Sequence, residues 1–176
     1  MKTLTKYQVY LKKEENYNIP DKPLNQPQQV VDLMEDIFNL SQATQEIAVM
    51  IAVDCHMKPI GVFELSRGTL NQGIMHARDI FQRAIMVNAY AIFLAHNHPS
   101  GDSTPSDMDD ILYLQLKEDG IRMGIPIKDS YVIVDENNYT SIPEHMEEER
   151  KREMKEKGIK EKPIIKRVDE NGITWI

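Results

Sequence analysis

The residues His96-Asn97-His98-Pro99-Ser100-Gly101-Asp102-Ser103-Thr104-Pro105-Ser106-Asp107-Met108-Asp109 follow directly on the apolar run Ala89-Tyr90-Ala91-Ile92-Phe93-Leu94-Ala95. That run reads as a buried strand, too apolar to keep one face in water. Thr104 before Pro105 reads as a cap followed by proline at the first helical position. Side chains alternate along a strand, so His96 and His98 project to one side, while Asn97 points away. On the helix, Ser106 and Asp109 lie three apart in the first turn and share a face. A strand ending in two same-side imidazoles and a helix opening with a carboxylate can converge across the Pro/Gly turn between them. Two imidazoles and one carboxylate are three protein ligands for zinc, with the fourth position left to water. This is the donor pattern of a catalytic site rather than a closed structural one.

Upstream, residues 46–54 form the first long strand, nearly all apolar and therefore central. Cys55 to Pro59 is a turn into a second strand over residues 60–65. Cys55 and His56 are neighbours in that hairpin and point apart, which speaks for a turn and against a nucleophile–base pair. Gly68 and Gly73 bracket a turn or short third strand. A helix over 76–88 turns Ile80, Phe81, Ala84, Ile85 and Val87 to the sheet. Further back, a helix from Pro27 carries Val30, Val31, Met34, Ile37 and Phe38 at three-to-four spacing. Residues 1–26 are a polar arm in which Tyr7, Val9 and Leu11 alternate as an edge strand would.

Downstream, the spacing predicts a helix over 105–119, stopped by Gly120, with Ile111, Leu112, Leu114 and Leu116 on its buried side. Two short strands follow, at Ile125-Pro126-Ile127 and Tyr131-Val132-Ile133-Val134. From Glu144 the composition turns to Glu, Lys and Arg, with Glu147/Lys151, Glu148/Arg152 and Glu153/Lys157 at i,i+4 spacing, as in an exposed helix or linker. Ile164, Ile165 and Trp175 are its main apolar points. The expected organisation is an arm (1–26), one domain (27–143) and a charged tail (144–176).

The 176 residues suffice for one domain with a sizeable core, and their net charge of -7 offers no broad basic surface to nucleic acid. A single cysteine excludes a disulfide framework and a four-thiolate zinc site. No apolar run is long enough to span a membrane, and Met1-Lys2-Thr3-Leu4-Thr5-Lys6 has no signal-peptide core, so a cytoplasmic protein is expected.

The string His-x-His, seven residues, Ser-x-x-Asp resembles the JAMM (MPN-domain) metalloprotease motif, and the fuller form HNHPSG…PS…D resembles its RadC-like variant. The resemblance runs from about Gln28 to Ile142 and takes in the strand opened by Glu46, the Gly68-Thr69-Leu70 turn and the helix after His76. It implies an α/β fold of the JAMM/MPN (cytidine-deaminase-like) kind: a curved, mixed β-sheet flanked by helices, with the site at the sheet's edge. It further implies zinc held by His96, His98 and Asp109. Glu46, opening its strand, would be the general base, with Glu64 as competitor, and Ser106 would help stabilise the oxyanion. RadC-like chains carry Asp-His where this one has Asp129-Ser130, and a proline where this one has Ala77. Asn97 and Asp102 receive no role.

The implied activity is zinc-dependent hydrolysis of a peptide or isopeptide amide, with a peptide or protein as substrate. Two rival readings share the metal: a RadC-like accessory of DNA repair or mobile elements that acts by binding, and a metal-dependent nuclease. The nuclease needs basic residues near the site, for which Arg67, Arg78 and Arg83 are the nearest in sequence. His-Glu-x-x-His, Pro-Cys-x-x-Cys and glycine-rich phosphate loops are all absent, which removes helix-based zincins, zinc deaminases and nucleotide-binding loops.

Overall fold

The structure, a computed structural model, describes residues 4–6, 10–68, 75–158, 167–168 and 174–175. Its elements in order are α1 (Pro27–Phe38), a 3-10 turn (Leu40–Gln42), β1 (Glu46–Val53), β2 (Pro59–Gly68), α2 (Ala77–Met86), β3 (Ala91–Asn97), α3 (Asp107–Met123), β4 (Ile127–Asp135), β5 (Asn138–Ser141) and α4 (Ile142–Glu156). Short strands β6 (Arg167–Val168) and β7 (Thr174–Trp175) follow.

Five strands form one mixed sheet in the order β2-β1-β3-β4-β5. β1 pairs antiparallel with both β2 and β3, β4 pairs antiparallel with β5, and only β3 and β4 are parallel. A parallel pair needs a long crossover, which here is α3. The β1 and β3 strands are central, and their residues from Ile47 to Val53 and from Ala91 to Asn97 are all buried, as continuous apolar runs require.

Alternation divides the core into two layers. Ile47, Val49, Ile51 and Val53 of β1 pack with Ala91, Phe93 and Ala95 of β3 and with Tyr131 and Ile133 of β4, under Val30, Val31 and Met34 of α1. The intervening residues face the other way, towards α2 and α3, whose buried residues are Ile80, Phe81, Ala84, Tyr113 and Leu116. His96 belongs to this second face and reaches Asp109 of α3. The site therefore lies at the carboxyl end of central strand β3, not along an edge strand.

Several local expectations are corrected. Helix α3 begins at Asp107, with Ser106 as its N-cap, so Thr104 and Pro105 precede it. It does not stop at Gly120 but runs on to Met123 and ends on Gly124, at φ 70°. Gly120 is instead a point of close approach, since a Cβ there would lie 2.8 Å from the Ile125 carbonyl oxygen. The buried side of α3 is Asp109, Tyr113, Leu116 and Gly120, while Ile111 and Leu114 are exposed, as is Ile85 of α2. The second strand runs on to Gly68. Among the described residues, the first buried one is Leu24, which donates its N–H to the Met57 carbonyl at 2.9 Å. Tyr7, Val9, the stretch from Thr69 to Gly73, Ile164 and Ile165 lie outside the described residues.

The chain divides into units Met1–His145 and Met146–Ile176. Helix α4 starts at the buried Ile142, before the expected domain end at 143. In its charged body Lys151 meets Glu147 at 3.4 Å and Lys157 meets Glu153 at 2.8 Å, two of the i,i+4 pairs read from sequence. The second unit also holds the antiparallel pair of β6 and β7, which the charge pattern gave no sign of.

Candidate metal centre

His96 is 1% exposed at the end of β3, and His98 follows one residue beyond the strand, its N–H bonded to the Ile133 carbonyl at 3.3 Å. The two Nε2 atoms lie 3.1 Å apart. Asp109 brings Oδ1 to 3.2 Å from His96 Nε2 and Oδ2 to 3.8 Å from His98 Nε2. The three side chains expected as ligands thus converge on one point.

The donor chemistry fits a metal. His98 Nδ1 lies 2.8 Å from the Asp102 carbonyl oxygen. A carbonyl only accepts, so that nitrogen carries the proton and Nε2 presents its lone pair to His96 and Asp109. Two imidazole nitrogens and a carboxylate oxygen facing one another are a donor set that a zinc-type cation takes, and His96 Nδ1 is buried without a hydrogen-bond partner among the described residues. Separations of 3.1, 3.2 and 3.8 Å bracket the edge, about 3.3 Å, of a tetrahedron with metal–nitrogen bonds of about 2.0–2.1 Å.

Asp109 is both candidate ligand and helix cap partner. Its Oδ2 accepts the Ser106 N–H at 2.8 Å and the Ser106 hydroxyl at 2.6 Å, while its own N–H points at Ser106 Oγ at 3.3 Å. This reciprocal box satisfies helix-start donors that would otherwise be orphaned. Burial pushes the Asp109 carboxyl up, but His96 and the two Ser106 donors outweigh it and hold the group well below the usual carboxylate range. Asp107 and Asp110 share the first turn, where the helix dipole favours negative charge. Ser106 spends its one proton on Asp109, so the contact it makes is to the candidate ligand.

Glu46 opens β1 opposite Gly68, on the face that carries His96, because Ala48 stands opposite His96 and Glu46 is two residues from it. Burial raises its pKa, with His98 and His96 pulling down and Asp109 pushing up, so its carboxylate shares the field of the three donors. Its Oε2 is buried without a hydrogen-bond partner among the described residues. Glu64 is exposed and binds Arg67 through two hydrogen bonds of 3.0 and 2.6 Å. A register shift between Ala48 and Val49 sets it opposite Val49, whose side chain faces α1.

The residues left without a role turn out to be structural partners of the site. Asn97, 2% exposed, accepts the Ile47 N–H on Oδ1 at 2.7 Å and donates Nδ2 to the Gln45 carbonyl at 3.2 Å. A polar residue between two same-side histidines must face the opposite, apolar side, where it has to find partners; that signal was in the sequence. Asp102 orients His98 through its carbonyl and holds the Thr104 N–H on its side chain at 2.9 Å. Next to it, Ser103 donates to Asn138 Oδ1 at 2.9 Å and accepts from Thr140 Oγ1 at 3.1 Å, mooring the loop to β5.

Other candidates stand apart. Cys55 is exposed in a turn organised by Asp54, whose Oδ1 accepts the N–H groups of His56 and Lys58. His76 is the N-cap of α2 but makes no side-chain capping bond, and it is not among the clustered donors. Ser130 is buried opposite Leu94, one step down the face from His96.

A mixed sheet whose central strand presents two histidines to a helix-start aspartate has the fold of a metal-dependent hydrolase-like domain. The chain belongs to the RadC-like JAB domain family, whose model matches residues 24–149. It is 40% identical over 121 residues to UPF0758 protein SAB1521c of Staphylococcus aureus, covering 69% of this chain and 52% of that one. A UPF0758 protein of Clostridium perfringens is 37% identical over 121 residues, with the same coverage. The chain spans about half the length of these relatives. Among the described residues, no helix is long and apolar enough to cross a membrane.

Proposed function

We propose that this domain is a zinc-dependent hydrolase of peptide or isopeptide amides, with His96, His98 and Asp109 as the metal ligands and Glu46 as the general base. The observation that carries the reading is the convergence of two imidazole nitrogens and a carboxylate within 3.1–3.8 Å of one another, on the sheet face that carries Glu46, whose Oε2 is buried without a hydrogen-bond partner among the described residues. A bound zinc ion supplies Lewis acidity, bringing water towards ionisation at about pH 7 and polarising a carbonyl. Glu46 takes the proton from the attacking water as the new C–O bond forms. It then passes that proton to the nitrogen as the C–N bond breaks. Burial suits Glu46 to both steps, because a raised pKa makes it a better proton acceptor and still allows it to donate. Asp102 keeps His98 in the tautomer that offers Nε2, and Ser106 fixes the carboxylate of Asp109. The family's oxyanion role for Ser106 requires its hydroxyl to turn from Asp109 towards the substrate.

The nuclease reading draws no support from nearby cations. Arg67 is engaged by Glu64, Arg83 donates to the Asp79 carbonyl at 2.9 Å, and Arg78 lines a groove between α2 and α3. The test is elemental analysis of the zinc-loaded protein, followed by assay against a panel of peptide and ubiquitin-like isopeptide amides. Close to one zinc per chain with hydrolysis lost in Glu46→Gln supports the proposal. Bound zinc without hydrolysis of any amide shifts the reading to a metal-bearing binding module, and hydrolysis that survives in His96→Ala/His98→Ala overturns the metal assignment.

A further inference from the structure

We propose that Asn97 is the positioning residue for Glu46: its carboxamide clamps the peptide groups on either side of Glu46 and ties them to the strand that carries the two histidines. The inference rests on the reading of Glu46 as the base.

The backbone ladder between β1 and β3 runs from Val53 opposite Ala91 to Ala48 opposite His96 and extends no further. Glu46 lies beyond it, held by the β2 ladder opposite Gly68 but with no backbone partner on the β3 side. Asn97 takes over there with its side chain. Oδ1 receives the N–H of Ile47 at 2.7 Å, and Nδ2 gives a proton to the carbonyl of Gln45 at 3.2 Å. The residue between those two peptide groups is Glu46. A carboxamide offers one donor face and one acceptor, the same complement as a peptide group, so it can continue a ladder where backbone pairing has ended. Aspartate would keep the Ile47 bond and set a second oxygen against the Gln45 carbonyl, and serine is too short to reach both.

The placement serves the chemistry because ligands and base are set by one residue triplet. His96 and His98 aim one way and Asn97 the other, so the peptide segment that fixes the histidines also fixes the backbone of Glu46. A glutamate has three side-chain torsions, and its carboxylate can be held to within a fraction of an ångström only if its backbone is fixed first.

The test is a double-mutant cycle on the cobalt(II)-loaded protein, with the pH midpoint of its visible absorption spectrum as the readout. The forms compared are wild type, Glu46→Gln, Asn97→Ser and the double variant, with Asn97→Asp as a second series should the serine variant not fold. Amide hydrogen exchange at Ile47 in the metal-free protein reports on the clamp directly. The expected results are faster exchange at Ile47 in Asn97→Ser and a midpoint moved by about half a unit, a factor of about three, in the direction seen for Glu46→Gln. The shift should vanish when Glu46 is already Gln, and cobalt affinity should stay within about threefold of wild type. An equal shift with and without the Glu46 carboxylate, or faster exchange at Ile47 with no shift, would make Asn97 a purely structural residue and overturn the proposal. If Glu46→Gln alone moves neither the midpoint nor hydrolysis, the reading of Glu46 fails, which is distinguishable from failure of the clamp.

Discussion

Replacing Ser106 with alanine separates two tasks of one hydroxyl. As N-cap of α3 it accepts from the Asp109 N–H at 3.3 Å, and as a donor it supports Asp109 Oδ2 at 2.6 Å. Loss of a serine N-cap costs about 1 kcal/mol, and for a chain of this size that lowers the thermal midpoint by about 2–4 °C. This first loss should appear in the metal-free protein. The backbone N–H of Ser106 still holds Oδ2 at 2.8 Å, so the aspartate keeps one of its two donors. Removal of a hydrogen bond to a metal ligand weakens affinity by about 10- to 100-fold, which is about 1.4–2.8 kcal/mol of stabilisation by bound metal. With zinc in excess the midpoint should therefore fall further, by about 3–11 °C. Calorimetry at fixed free zinc, alongside competition with a chromophoric chelator, measures both losses. Ser106→Thr keeps the hydroxyl and should stay close to wild type. Equal falls with and without zinc would refute the link between cap and ligand.

His98→Ala should lose stoichiometric zinc by elemental analysis while keeping a native far-ultraviolet spectrum, and undiminished zinc in the His96→Ala/His98→Ala pair would count against the ligand set. Gly120→Ala should destabilise by about 1–2 kcal/mol in urea, because the contact at 2.8 Å is with backbone and overpacking exceeds the gain of about 1 kcal/mol in helix propensity; a more stable variant would show that the helix can shift freely. Glu46→Gln tests the buried carboxyl in the metal-free protein. Its folded pKa is raised, so the contribution of the protonated form is present below the unfolded pKa and is lost as pH rises through the folded one. The stability of wild type minus that of Glu46→Gln should accordingly fall from pH 4 to 7, and a rise over that interval would mean that the carboxylate is favourably paired.

The convergence of His96, His98 and Asp109 was legible because it depends on local geometry alone. A two-residue period placed His96 and His98 together, and proximity to a helix start placed Asp109. Ser106 was found through its spacing, although it caps the helix rather than lying within it; a Thr-Pro just before Ser-x-x-Asp carries two competing cap signals. Gly120 was read as a stop because glycine weakens a helix, yet tertiary contact with the chain at Ile125 requires it there. Apolar residues lie almost all round α3, so period alone could not choose its buried side. The side is set by the line of Asp109, Tyr113, Leu116 and Gly120 facing the sheet. Glu46 and Glu64 could not be separated by spacing, since the distinction lies in strand pairing and a register shift. Asn97 receives no role from sequence because its partners are backbone groups 50 and 52 residues away.

The mooring of Ser103 on Asn138 and Thr140 divides the segment between His98 and Ser106 into two short spans. A tether fixed only at its ends samples many paths, and each added anchor removes more of them than an equal bond elsewhere would. Much of the order needed at the imidazole of His98 is therefore supplied from β5, at the margin of the sheet. Sequence drift in that outer hairpin is constrained by the geometry of a donor cluster it does not touch. An engineer loosening Asn138 or Thr140 to alter the surface would find the consequence at the imidazole of His98.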